Sequence, residues 1–220
     1  MPRPSDAPRA LRHTDVLRRH LPLDGTRLLD IGAGAGRLTG WMRKNGAKAL
    51  ALDPQASLRP DVVATAEAMP FAASSFDGAI FFNSLHHVPR AKQARALAEA
   101  ARVLCAGAPL LVVEPLAEGT HFTLLQPLDD ETEIRAAAAK AVDEAKGFER
   151  TADFVYPTVL VQKSVNDVIG HFVAADPDRA SLVDRQRAEV ERRYRELGRP
   201  HEDGVAFDQP MRLIALRRRG

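Results

Sequence analysis

Cysteine is almost absent: Cys105 is the single one among 220 residues. That excludes an internal disulfide and makes a thiolate metal site implausible within one chain, so no metal is expected. Charge of one sign is lacking too, with 31 basic residues against 29 acidic ones and a formal net charge of +2. A duplex binder gathers basic residues on one face or stripe, so no nucleic-acid partner is expected. The local exceptions, Arg217, Arg218 and Arg219 at one end and Arg9, Arg12, Arg18 and Arg19 near the other, read as solvated tails and helix faces. No run approaches the roughly 20 apolar residues of a membrane span. The first residues, MPRPSDAPRA, lack the apolar core of a secretory signal. A cytoplasmic enzyme or binding protein is the expectation, with no membrane partner.

The length suits one large domain with a substantial core, and there is no internal repeat. Residues 1–25 read as a proline-rich tail followed by a short helix over 10–20, and 26–220 as a single domain. From Thr26 strand and helix patterns alternate, which predicts a doubly wound α/β fold with a mostly parallel sheet. Strands are expected over 27–31, 47–52, 61–64, 78–82, 110–113, 154–161 and 205–216. Helices are expected over 37–45, 90–104 and 129–146. A helical insertion at about 163–204 should hold two more helices, over 165–174 and 178–197. Its composition leaves open whether it is a lid or a dimer surface, and the chain whether monomer or homodimer.

Open parallel sheets bind ligands outside the carboxyl ends of their strands, so the residues at those ends carry the most information. The first such end is LLDIGAGAGR, residues 28–37. Asp30 stands near the strand end, and Gly32, Gly34 and Gly36 allow a sharp turn and close ligand approach. The helix that follows aims free N–H groups and a positive dipole end at the same place. Asp53 ends the second strand, 21 residues past Gly32, where a carboxylate can accept ribose hydroxyls. The next ends carry Thr65-Ala66-Glu67, then Asn83-Ser84-Leu85-His86-His87, then Glu114. A nicotinamide dinucleotide normally meets Gly-x-Gly-x-x-Gly, which would need glycine at Arg37. The variant present suits a lone nucleoside with an amino-acid tail, and a nearby acid can receive the ammonium of that tail.

These blocks resemble the class I S-adenosylmethionine-dependent methyltransferases, in particular their small-molecule branch, from about Thr26 to Pro115. LLDIGAGAGRL is similar to the family's first motif, ALDPQ to its acidic segment, AEAMPFAASSFDGAIFFNSLHHV to its third block, and ARVLCAGAPLLVVEP to its helix, glycine turn and fifth strand. The resemblance implies a seven-stranded Rossmann-like sheet with an antiparallel last strand and S-adenosylmethionine as methyl donor. It implies that Gly32, Gly34 and Gly36 line the methionine and ribose end and that Asp53 holds the ribose. Ala66 and Glu67 would lie along the adenine, and Asn83 near the methionine tail or the methyl. Thr65 stands where these enzymes usually present an aspartate, and it offers a hydroxyl without charge.

Methyl transfer asks the protein to align a nucleophile and often to remove its proton. Histidine suits that role near neutral pH, so His86 and His87 are candidate bases, with Glu114 as the acid that would fix the imidazole tautomer. His121, Phe122 and Tyr156 are candidates for an acceptor pocket. His13 and His20 are expected at the surface of the N-terminal helix. The expected reaction moves a methyl group to an oxygen or nitrogen of a small molecule. The rivals are methylation of protein or RNA, and a cofactor-binding regulator without activity.

Overall fold

The computed structural model describes residues 10–175 and 179–220; the tail expected over residues 1–8 lies outside them. The helices are α1 His13–Leu17, α2 Arg37–Lys44, α3 Arg90–Val103, α4 Gly119–Leu125, α5 Thr132–Asp143, α6 Val165–Ala175 and α7 Ala180–Leu197. The strands are β1 Arg27–Ile31, β2 Lys48–Asp53, β3 Val62–Val63, β4 Gly78–Phe82, β5 Pro109–Pro115, β6 Phe148–Gln162, β7 Arg199–His201 and β8 Gly204–Arg218. They form one sheet in the order β3-β2-β1-β4-β5-β8-β6, with β7 paired to β8. That is eight strands among the described residues, one more than expected. The extra one is β7, a three-residue hairpin arm with Arg199 opposite Ala206, too short to show an alternating pattern.

β1 lies between β2 and β4 and is parallel to both, with Leu29 opposite Leu50 on one side and Ala79 on the other. Strands covered on both faces read as continuous apolar runs, and Leu28, Leu29, Ile31, Ala79, Ile80, Phe81, Leu110, Leu111 and Val113 are all buried. The last strands reverse direction. The Gly107 N–H donates to the Arg218 carbonyl, and the Leu116 N–H to the Pro210 carbonyl, so β5 and β8 run antiparallel.

Contacts within the chain define two compact units. One comprises Arg12–Glu114, Ile134–Val155 and Arg212–Gly220. Its core packs Leu29, Ile31 and Phe81 against Ala96, Leu97, Ala100 and Val103 of α3 and Ala138 and Val142 of α5. α5 starts at Thr132 rather than at 129, and just before it the Asp130 carboxylate accepts the Thr132 N–H at 3.1 Å in a local turn. α1 covers less of the chain than the expected 10–20. The Arg18 guanidinium lies over the Trp41 ring and donates to the Asn45 side chain at 2.7 Å, which ties the end of α1 to α2.

The other unit comprises Pro115–Glu133 and Tyr156–Met211 with the described residues up to Leu11. Leu124 and Leu128 pack there with Val168 and Ile169 of α6, Val183 and Val190 of α7, and Phe207. α4 was not expected, since GTHFTLL is short and rich in threonine. Burial of Phe122 and Leu124 and a 2.6 Å bond from Arg193 of α7 to the Thr123 carbonyl hold it. β6 also runs further than the expected 154–161, starting at the buried Phe148 and continuing through the mostly exposed residues 149–153.

Truncation should separate core from surface. Leu97→Ala, at a side chain 1% exposed, should cost about 2–5 kcal/mol in urea denaturation. Val63→Ala, at one 57% exposed, should change stability by less than about 0.5 kcal/mol.

Candidate active site

Because β1, β2 and β4 are parallel neighbours, the turns after them lie side by side. The turn after β1 is pinned from the β2 side. The Gly32 and Ala33 N–H groups both donate to the Leu52 carbonyl, at 2.8 and 3.1 Å. It is pinned equally from β4, where the Ser84 hydroxyl donates to the Ile31 carbonyl at 2.6 Å. Gly32 has φ +73°, and a Cβ there would stand 2.5 Å from the Ser84 Cβ. Any side chain would force the two turns apart. At Gly34 and Gly36, by contrast, a Cβ would meet no atom within 4 Å. The first glycine serves packing; the other two face open space, with the start of α2 behind them.

Asp53 is 7% exposed and holds the turn directly. Its Oδ2 accepts the Gly34 N–H at 2.9 Å and its Oδ1 the Gln55 N–H at 2.9 Å. A carboxylate offers about four acceptor positions, so lone pairs remain for two further donors such as the hydroxyls of a ribose. Asp30, 1% exposed, lies lower. Its Oδ2 accepts the Thr39 hydroxyl at 2.6 Å, which ties β1 to the first turn of α2. Burial pushes the Asp30 carboxyl up from 3.8 to about 6; the Thr39 hydroxyl opposes that rise and the Asp53 charge adds to it.

After β3, Thr65 is exposed while Ala66 and Glu67 are buried. The Glu67 carboxylate accepts a bond from Lys92 at 2.7 Å, and its carbonyl accepts one from Arg95 at 2.9 Å. Burial alone would raise the Glu67 carboxyl, but Lys92 and the Thr65 hydroxyl bring it below its ordinary value. The segment continues in the same manner: Glu99 accepts the Met69 N–H at 3.0 Å, and Arg102 donates to the Phe71 and Met69 carbonyls at 2.7 and 3.0 Å. Lys92, Arg95, Glu99 and Arg102 were missed in the sequence. Their spacing along one face of α3 was the available signal.

The block after β4 carries the strongest geometry. Asn83 is exposed with φ +52°, a conformation asparagine tolerates better than most residues, and its N–H donates to the Val113 carbonyl at 2.9 Å. Leu85–His87 form a single 3₁₀ turn. Glu114 at the end of β5 grips it twice. Its Oε1 accepts the Leu85 N–H at 2.8 Å, and its Oε2 pairs with Nδ1 of His86 in a short contact. That pairing puts the proton of a neutral His86 on Nδ1 and leaves a lone pair on Nε2. His86 is 3% exposed, whereas His87 is exposed, its ring 4.0 Å from that of His86. The geometry therefore separates the two histidines: Glu114 holds His86.

His13 departs from the surface placement expected for it. Its ring meets Phe82, the last residue of β4, edge-on at 4.9 Å, and burial lowers its pKa. His121, Phe122 and Tyr156 belong to the other unit. His121 stands on α4 rather than in a loop, and its Nε2 lies 3.3 Å from the Gln162 amide nitrogen. Phe122 is buried, and Tyr156 is 1% exposed, with its phenol pKa raised by burial.

Asp30 makes stability depend on pH in a definite direction. A carboxyl raised from 3.8 to about 6 binds more protons folded than unfolded between those values. Its contribution is therefore full below pH 4 and falls as pH rises to 6, by on the order of 3 kcal/mol. Asp30→Asn should remove this slope. Urea denaturation at a series of pH values should show the variant gaining on wild type from pH 4 to 6 and running parallel above 7. Parallel curves throughout would contradict the assignment.

Residues 29–112 match the family model described as a methyltransferase domain. Uncharacterized methyltransferases of Mycobacterium tuberculosis and Mycobacterium bovis are 38% identical over 122 residues, which cover 50% of this chain and 46% of theirs. The chain thus spans about half the length of these relatives. Among solved structures, a candidate methyltransferase of Bacillus halodurans aligns over 94% of this chain and 98% of its own, with a TM-score of 0.64 and 20% identity. The YcgJ protein of Bacillus subtilis aligns over 94% and 97%, with a TM-score of 0.56 and 18% identity. The [4+2]-cyclase SpnF aligns over 94% and 80%, with a TM-score of 0.58 and 18% identity. At such identities the structures speak for the fold alone. The family of this fold generally uses S-adenosylmethionine. The glycine turn, Asp53 and the block through His87 all lie inside the matched stretch 29–112, which is similar to a methyltransferase domain.

Proposed function

We propose that the chain binds S-adenosylmethionine at the glycine turn and transfers its methyl group to an oxygen or nitrogen of a small-molecule acceptor. The observation that carries this reading is the juxtaposition of Asp53 and the open glycines with a histidine held by a carboxylate at the adjacent strand end. The residues fit the cofactor. Asp53 keeps acceptor capacity for a ribose, and the space over Gly34 and Gly36 would be filled by any side chain placed there.

When bound, S-adenosylmethionine supplies a methyl group already activated on a sulfonium. What is left to the chain is alignment and proton removal. His86, with Nδ1 committed to Glu114, offers Nε2 as the base that accepts the acceptor's proton. Glu114 then stabilises the imidazolium, as a carboxylate does for any histidine base it orients. Asp30 supports the turn through Thr39, and Glu67 supports the adenine side through Lys92. Near-neutral net charge favours a small metabolite over RNA or DNA as acceptor.

Calorimetric titration tests the first half. S-adenosylmethionine and S-adenosylhomocysteine should both bind, and Asp53→Ala should weaken them by about 10–100-fold through loss of charge-assisted hydrogen bonds. Failure of both ligands to bind at millimolar concentration would overturn the reading. His86→Ala should leave this binding intact and slow transfer to an identified acceptor by about 10²–10⁴-fold; unchanged turnover would remove His86 as the base.

A further inference from the structure

We infer that Gln93 is the positioning residue for the turn that carries His86. Gln93 stands in the first turns of α3 and is 1% exposed. Its side-chain nitrogen points back at that turn and donates to the Val88 carbonyl at 3.2 Å, with the Leu85 carbonyl at 3.5 Å. Those two carbonyls bracket His86 and His87. A buried amide is costly unless its hydrogen bonds are made, so its place inside an otherwise aliphatic and alanine helix face calls for a specific partner. Ala96, Leu97 and Ala100, the next buried residues of α3, are all apolar.

The turn's own backbone hydrogen bonds are long, so a clamp from outside adds to them. The His87 N–H donates to the Ser84 carbonyl at 3.2 Å and the Val88 N–H to the Leu85 carbonyl at 3.1 Å, the weak geometry of a single 3₁₀ turn. Glu114 holds its first half from β5, through the Leu85 N–H and the His86 ring. Gln93 holds its second half from α3. The two grips hold the turn from β5 and from α3, and loss of the second should loosen it. Lys92, the preceding residue, is bonded to Glu67 from the same helix turn. One turn of α3 thereby fixes two of the loops at the strand ends. This inference rests on the proposed function for the role of His86, but not for the clamp itself.

The test uses the full chain with ¹⁵N-labelled backbone and histidine rings. In Gln93→Met, a volume-conserving change that removes the donor, the Leu85 and His87 amides should exchange with solvent at least about tenfold faster relative to those of β1 and β4. The His86 ring should pass from one tautomer to a mixture. Gln93→Asn, which keeps an amide but shortens its reach, should give the same pattern and serves if the first variant folds poorly. Equal acceleration at all amides, or none at the turn, would overturn the inference, since a residue that only packs would weaken every element together. Glu114→Gln separates this from the reading beneath it. If that change leaves the His86 tautomer as in wild type, the dyad fails, while the exchange pattern still decides the clamp.

Discussion

A single carboxylate, Glu114, organises the turn that follows β4. Glu114 sits at the end of a buried parallel strand and spends one oxygen on a backbone N–H and the other on an imidazole. A histidine ring 3% exposed has little water to satisfy it, so an unpaired Nδ1 there would cost on the order of 1–3 kcal/mol. The pairing removes that cost and fixes the tautomer in one step. Everything proposed about reactivity follows from it: which histidine of the pair acts, which nitrogen carries the lone pair, and which way the turn must be held.

The cofactor side obeys a related constraint with the opposite sign. Asp30 and Asp53 are two acids close under one glycine turn, and neither faces a basic side chain in the bonds that hold it. Asp53 accepts two backbone N–H donors and keeps lone pairs for others. Asp30 has less help and burial drives it toward its neutral form near pH 6. The result is one acid that holds the glycine turn with lone pairs to spare and another that braces the helix behind it. The Ser84 hydroxyl and the absence of a side chain at Gly32 then set the spacing between this turn and the one that carries His86.

Much of this arrangement was legible in the sequence, for a physical reason. β4 appears as the unbroken apolar run GAIFF and β1 as Leu28, Leu29 and Ile31 around Asp30, and the polar and glycine residues that follow each strand mark the site. Asp53, the glycines and the pairing of His86 with Glu114 could be named that way. What escaped was whatever depends on a partner distant in the chain. Gln93 looks like any polar residue of an amphipathic helix until the turn beneath it is seen. His13 reads as a surface histidine until Phe82 meets it. Glu67 was expected along an adenine, and its pairing with Lys92, 25 residues on, shows in no local pattern. β7 and α4 were missed for a different reason: each is too short for periodicity to register and exists because tertiary contacts hold it.

What occupies the space over Gly34 and Gly36 decides whether this is an S-adenosylmethionine site. A crystal structure of the chain with S-adenosylhomocysteine tests this most directly. The ribose hydroxyls should lie within hydrogen-bond distance of the Asp53 carboxylate, with the sulfur directed toward the turn that His86 and Glu114 share. A nucleoside bound away from Asp53, or a sulfur directed away from that turn, would contradict it.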